Sequence, residues 1–271
     1  MKRRQLFSPS ERQDILHRLL DAIPSDDRVA GVVLVGSAPV GFEDEYSDID
    51  LSVVVEHGHD VAPVFRWWQD HMKDIIPVVH SFETEYAPNN LLCGFLLDNF
   101  LEVDIGFLCL QNLVARRERW KVAFDRTGKI EGIMHTTWAN RTSPDIRGLY
   151  LHLFDSIWHY IMHSAVCTER GQHLRALHYL EELRNRIVEV AGLHLGLETR
   201  NFRQADQLPP SLRSALEVTL VSKPERTEIL RALKSATTLF FSEAQRLEKT
   251  LGLNHAGSLK KRMMQFLSFF G

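Results

Sequence analysis

Two apolar segments meet at their polar ends, and that meeting constrains the chain more than any other feature. Val29 to Val35 is a short apolar run that stops at Gly36-Ser37, and ten residues later Asp48-Ile49-Asp50 opens a second run that reaches Glu56. Short apolar runs bounded by turn residues read as buried strands. Side chains at i and i+2 of a strand point to one face, so Asp48 and Asp50 share a side. A Gly-Ser turn at the end of a neighbouring strand offers backbone N–H groups at the same edge. Paired carboxylates suit a divalent cation and clustered amides suit phosphate, which together equip a site for phosphoryl or nucleotidyl transfer.

The flanking sequence supports a sheet with helices around it. Ser8-Pro9-Ser10-Glu11 is a helix start with a capping box, and Ile15, Leu16, Leu19, Leu20 and Ile23 follow at helical spacing. Pro63 to Met72 reads as a second helix, and Ile75–Phe82 as a third β segment. Leu91–Leu97 and Phe100–Leu108 flank Asp98-Asn99 as a tight hairpin. In its second arm Leu101, Val103 and Ile105 take one face while Glu102, Asp104 and Gly106 take the other. A carboxylate at Asp104, inside an apolar strand, calls for an explanation. Trp120–Phe124 is a further strand, ended by Asp125-Arg126-Thr127-Gly128.

Beyond Pro144 the character changes. Asp145–Glu169, Gln172–Leu195, Ser211–Leu220, Glu225–Leu251 and Ser258–Phe270 read as amphipathic helices, with almost no strand signal between them. Strands followed by helices predict an α+β chain: an N-terminal domain with a mixed β-sheet and flanking helices, residues 1–143, then a C-terminal α-helical bundle, residues 144–271.

Gly-Ser, ten residues, Asp-x-Asp and a later carboxylate on an adjacent strand resemble the nucleotidyltransferase superfamily typified by DNA polymerase β. With the helical second half, the chain resembles the small bacterial adenylyltransferases that modify aminoglycoside or lincosamide antibiotics. The resemblance is carried by VVLVGSAPVGFEDEYSDIDLSVVV, FLEVDIGFL, VAFDRTGKI and ERGQHLRALHYLEELRNRIVEVAG. It covers residues 29–128 closely and the helical half by pattern. It implies transfer of AMP from ATP to a hydroxyl of a small molecule, release of pyrophosphate, and a site in a cleft between the two domains. It implies Mg2+ held by Asp48, Asp50 and Asp104, and phosphates held by Gly36 and Ser37. Asp104 is the third metal ligand or the base; Glu102 and Glu182 are its rivals as base. Crowded carboxylates raise one another's pKa unless a cation intervenes, so three acids together imply a metal when the site works. Asp125 and Gly128 read as a structural loop.

Two other classes fit the same motif: a protein adenylyltransferase of antitoxin type, and a non-catalytic nucleotide-binding module. The remaining features weigh little between them. A net charge of −3 and a pI near 6.5 give no basic face for a long nucleic acid. Cys93, Cys109 and Cys167 are scattered, which suggests reduced, buried thiols in the cytoplasm. MKRRQLF lacks the apolar segment of a secretory signal, and no apolar run approaches membrane-spanning length. Glu43, Asp44 and Glu45 form an acidic loop that is either solvated or attractive to a cationic acceptor. Arg170, Arg184 and Arg186 either reach phosphate or pair with Glu181 and Glu182. His159 and His163 have metal-ligand spacing near His152 and Asp155, though packing against Trp158 and Tyr160 explains them as well. Trp67, Trp68, Trp138 and Trp158 read as core. Met263, Met264, Phe266, Leu267, Phe269 and Phe270 form an apolar face for docking on the bundle or for a homodimer.

Overall fold

The computed structural model of the protein describes residues 6–270; the basic residues Lys2, Arg3 and Arg4 lie outside them. The chain divides into two compact units, Met1–Thr142 and Ser143–Gly271.

The first unit is a mixed six-stranded sheet with helices on both faces. Its elements are α1 (Pro9–Ala22), β1 (Val29–Leu34), β2 (Ile49–Val55), α2 (Val61–Ile75), β3 (Val78–Ala87), β4 (Asn90–Leu97), β5 (Glu102–Cys109), β6 (Lys121–Asp125) and α3 (Ile130–Ala139). The strand order is β3-β4-β5-β2-β1-β6. Every neighbouring pair is antiparallel except β2 and β5, which run parallel. Alternation along the strands sorts side chains between the two faces. Ile49, Leu51 and Val53 of β2 and Val103, Ile105 and Phe107 of β5 pack with Leu16 and Leu19 of α1 and Phe65, Trp68 and Met72 of α2. Val33, Val54 and Leu108 turn the other way, onto Ile130 and Met134 of α3. Each fully buried side chain of this size contributes about 1.5–3 kcal/mol.

Local chemistry explains the boundaries. Ser8 Oγ accepts from Glu11 N at 3.2 Å and Glu11 Oε2 accepts from Ser8 N at 2.7 Å, the expected capping box. The second helix runs on to Ile75 and the third strand begins only at Val78, because Pro77 forces Ile76 into extended backbone. The hairpin turn is wider than Asp98-Asn99: Phe100 takes φ +66 and β5 starts at Glu102. Helix α3 follows from the Asp125 loop. The Asp125 carboxylate accepts from the backbone N–H groups of Thr127, Gly128 and Ile130 at 2.8 to 3.0 Å, so it closes the loop and starts the helix. Those bonds outweigh the effect of burial and hold the Asp125 pKa below the usual carboxylate value.

The second unit is helical: α4 (Ile146–Asp155), α5 (Ile157–Glu169), α6 (His173–Leu195), α7 (Pro210–Val218), α8 (Arg226–Leu251) and α9 (Ala256–Leu267). The helix expected over Asp145–Glu169 is broken at Ser156, whose φ −98 and ψ 0 leave the helical region. Asp and Ser side chains at such a point offer the backbone local alternatives to helix. Ile161, Leu183, Ile187, Leu233, Phe240 and Phe241 centre the core. One buried charge, Glu248, ties three elements together: it accepts from Tyr150 Oη at 2.8 Å and from His255 N and Ala256 N at 3.0 Å. Met263 and Leu267 are buried, and Phe266 and Phe270 meet with ring centroids 4.9 Å apart, so most of the apolar C-terminal face docks on its own bundle. Among the described residues no helix is long and apolar enough to cross a membrane.

Candidate active site

The parallel pair β2–β5 supplies the centre of the site. Its register sets Ile49 opposite Val103 and Asp50 opposite Asp104. Ile49 and Val103 anchor the strands in the core, so both aspartates must face the opposite side, with neighbouring strands about 5 Å apart. Asp48 stands one residue before β2 and is half-buried. Glu102 lies two residues before Asp104 on the same face and is exposed. Burial, with Glu102, Asp50 and Asp48 adding like charge, pushes the Asp104 carboxyl up to about 6.

Gly36-Ser37 adjoins these acids directly. Val35 N donates to Asp50 O at 3.2 Å, which carries the β1–β2 pairing to the edge of the turn. Gly36 then takes φ +63, and a Cβ there would overlap Asp50 Oδ2. The glycine is required by the carboxylate beside it. Ser37 O accepts from Val40 N and Phe42 N, closing a tight turn through Ala38–Val40. Ser37 Oγ is buried with no hydrogen-bond partner, and so is Asp104 Oδ1. A buried hydroxyl and a buried carboxylate oxygen left unsatisfied each cost free energy, and a ligand that engages them would recover it.

Among the described residues no three His, Cys, Asp or Glu side chains close into a ligand cage. The donor set nonetheless fits a hard cation: oxygen-only, acidic, mutually repelling, and with one oxygen orphaned. It also fits phosphate, through the orphaned Ser37 hydroxyl at the turn.

Several peripheral candidates have ordinary structural partners. Glu43 pairs with Arg119 at 3.0 Å, and Asp44 Oδ1 accepts from Tyr46 N at 2.9 Å and from Ser47 Oγ at 3.1 Å. Arg184 donates to Glu181 and to Thr219. Arg186 donates to Tyr160 Oη at 2.8 Å. His159 and His163 have ring centroids 4.1 Å apart, with planes tilted by 44°, and lie against Tyr179. Trp68 is buried and donates to Asp26, while Trp67 and Trp158 are partly exposed. Arg170 and Glu182 lie on the helical unit. A recess of about 670 Å³ between α2 and β3, lined by Arg66, Gln69, Glu83 and Asn89 among others, contains none of the five site residues.

Two further residues border the site. Gly94, paired with Asp104 across β4–β5 and with Phe82 across β3–β4, leaves room for both: a Cβ there would stand 2.9 Å from Asp104 Oδ1 and overlap the Phe82 ring. Phe82 is 51% exposed beside the acid. Arg12 lies on the buried face of α1 and reaches the loop before Asp48. An arginine in step with Ile15, Leu16 and Leu19 was the available clue.

Residues 16–93 match the nucleotidyltransferase domain family, a span that holds Gly36, Ser37, Asp48 and Asp50 and ends before Asp104. No curated protein matches the chain. Several solved structures are similar to it, two of them as follows. One is an aminoglycoside 6-adenyltransferase from Bacillus subtilis, 13% identical, with a TM-score of 0.47 over 97% of this chain and 98% of that one. The other is a nucleotidyltransferase-like protein from Exiguobacterium sibiricum, 16% identical, with a TM-score of 0.43 over 89% of this chain and 78% of that one.

Proposed function

We propose that this nucleotidyltransferase moves AMP from ATP to a hydroxyl of a small acceptor of the aminoglycoside or lincosamide kind, releasing pyrophosphate, in the cytoplasm. The observation that carries the reading is the pairing of Asp50 with Asp104 beside a Gly-Ser turn whose hydroxyl is buried and unpartnered. Asp48, Asp50 and Asp104 are the residues that would hold Mg2+. Once bound, the cation neutralises charge on the α-phosphate and the departing pyrophosphate.

The chain's own residues do the rest. Ser37 Oγ donates to a phosphate oxygen, and the turn's backbone groups orient the triphosphate. The acceptor oxygen attacks the α-phosphorus as the bond to the β-phosphate breaks, so pyrophosphate leaves and AMP is transferred. The hydroxyl proton passes to a carboxylate, for which Asp104 is the first candidate and Glu102 and Glu182 the others. The helical unit is the candidate acceptor-binding domain.

Incubation with α-labelled ATP, Mg2+ and panels of hydroxylated antibiotics and of proteins tests the proposal. Label on a small molecule supports it. Label on protein alone moves the function to a protein adenylyltransferase, and nucleotide binding with no turnover to a binding module.

A further inference from the structure

Arg12 is a buried cation beside the site, only 4% exposed, and its Nη1 hydrogen bonds go to backbone oxygens. Its Nη1 donates to two backbone oxygens, Asp44 O at 3.0 Å and Ser47 O at 2.8 Å. Its guanidinium lies 3.9 Å above the centroid of Phe42. These contacts span residues 42 to 47, the segment that leads from the phosphate turn to Asp48. Burial lowers the Arg12 pKa while the charges of Asp44 and Asp48 raise it, which places both carboxylates within its field. Helix α1, which carries Arg12, is seated on the sheet by Ile15, Leu16 and Leu19 and fixed at its start by the capping box.

We infer that Arg12 is a positioning residue that fixes Asp48 for cation binding, by clamping the Asp44 and Ser47 carbonyls from a rigid helix. The inference rests on the proposed cation role of Asp48 and deepens it. Geometry favours this role over a purely structural one. Asp48 precedes β2, so strand pairing does not hold it as it holds Asp50 and Asp104. Fixing its backbone needs an outside contact, and two carbonyls on one donor nitrogen, with an aromatic ring beneath the cation, supply it. Residues that orient metal ligands without touching the metal are worth about 10- to 100-fold in metal affinity.

The test is Mn2+ binding to the full chain, followed by electron paramagnetic resonance of the free ion, with α,β-methylene-ATP present. Nucleotide binding in EDTA and the thermal transition are followed in parallel. Arg12→Ala is expected to weaken Mn2+ about 10-fold or more, with nucleotide binding in EDTA unchanged and a cooperative transition retained. Arg12→Lys, which keeps the charge and can still donate to the carbonyls, is expected to recover part of the loss. Mn2+ affinity in Arg12→Ala equal to wild type would overturn the inference. So would loss of the cooperative transition in both variants, because Arg12 would then hold the fold rather than Asp48. Asp48→Asn separates the two readings: if it binds Mn2+ as the wild type does, the cation role of Asp48 fails first, and the inference fails with it.

Discussion

A side chain on Gly36 would occupy the space taken by Asp50 Oδ2. The turn and the acid are therefore one unit, and the backbone at φ +63 is held there by the β1–β2 pairing that ends at Val35 N and Asp50 O. Gly36→Ala is expected to cost about 1–2 kcal/mol of stability from the left-handed backbone. It should cost transfer more, roughly a hundredfold, because the carboxylate must move. Urea melts and initial rates on the purified variant measure both. A stable variant with wild-type turnover would show that Asp50 tolerates displacement.

Asp48→Asn and Asp50→Asn keep side-chain volume and remove charge. Each is expected to lower turnover ~100-fold or more, given the several kcal/mol that a bound cation supplies. Thermal stability should hold or rise, since like charges around Asp104 are relieved. Near-normal rates in either variant would remove it from the mechanism.

Asp125 predicts a pH dependence away from the chemistry. Its carboxylate is favoured in the folded chain, so its folded pKa lies below the unfolded value near 3.9. A depressed pKa contributes stability at neutral pH that is lost as the pH falls through the folded value. Asp125→Ala is expected to cost about 1 kcal/mol at pH 7, as for a lost cap. That difference should shrink as the pH is taken below about 4. Paired melts across that range check it, and a cost independent of pH would point to lost packing instead.

Glu248 is 3% exposed and accepts from a buried tyrosine and two backbone amides. Glu248→Ala would strand the Tyr150 hydroxyl on α4 and the two amides at the start of α9. It is expected to destabilise the helical unit by roughly 2–4 kcal/mol. Hydrogen exchange should report this as early opening of residues 255–267. Unchanged protection there would count against Glu248 as the anchor.

What could be read from the chain, and what could not, follows from the range of the signals. Strand alternation in β2 and β5 announced which residues face away from the core, so Asp50 and Asp104 were visible as a pair of faces. Their register was not, because a parallel pairing depends on a crossover that no local pattern encodes. The Asp125 loop was legible as a structural turn, yet the helix it starts went unread, since its capping bonds come from a carboxylate five residues before Ile130. The break at Ser156 lay hidden inside one apolar periodicity. Arg12 and Gly94 owe their significance to partners 32 or more and ten residues away, Asp44 and Asp104 respectively, and such contacts leave no trace in spacing.

The lone parallel pairing also separates what must stay from what is free to change. The chain between β2 and β5 makes an excursion through α2, β3 and β4 before returning beside Asp50. Lengthening a loop in that excursion raises its closure entropy only slowly, and it leaves the facing aspartates where they are. Descendants of such a chain can therefore rebuild the edge of the sheet, where Phe82 is exposed, while inheriting the proposed reaction centre intact.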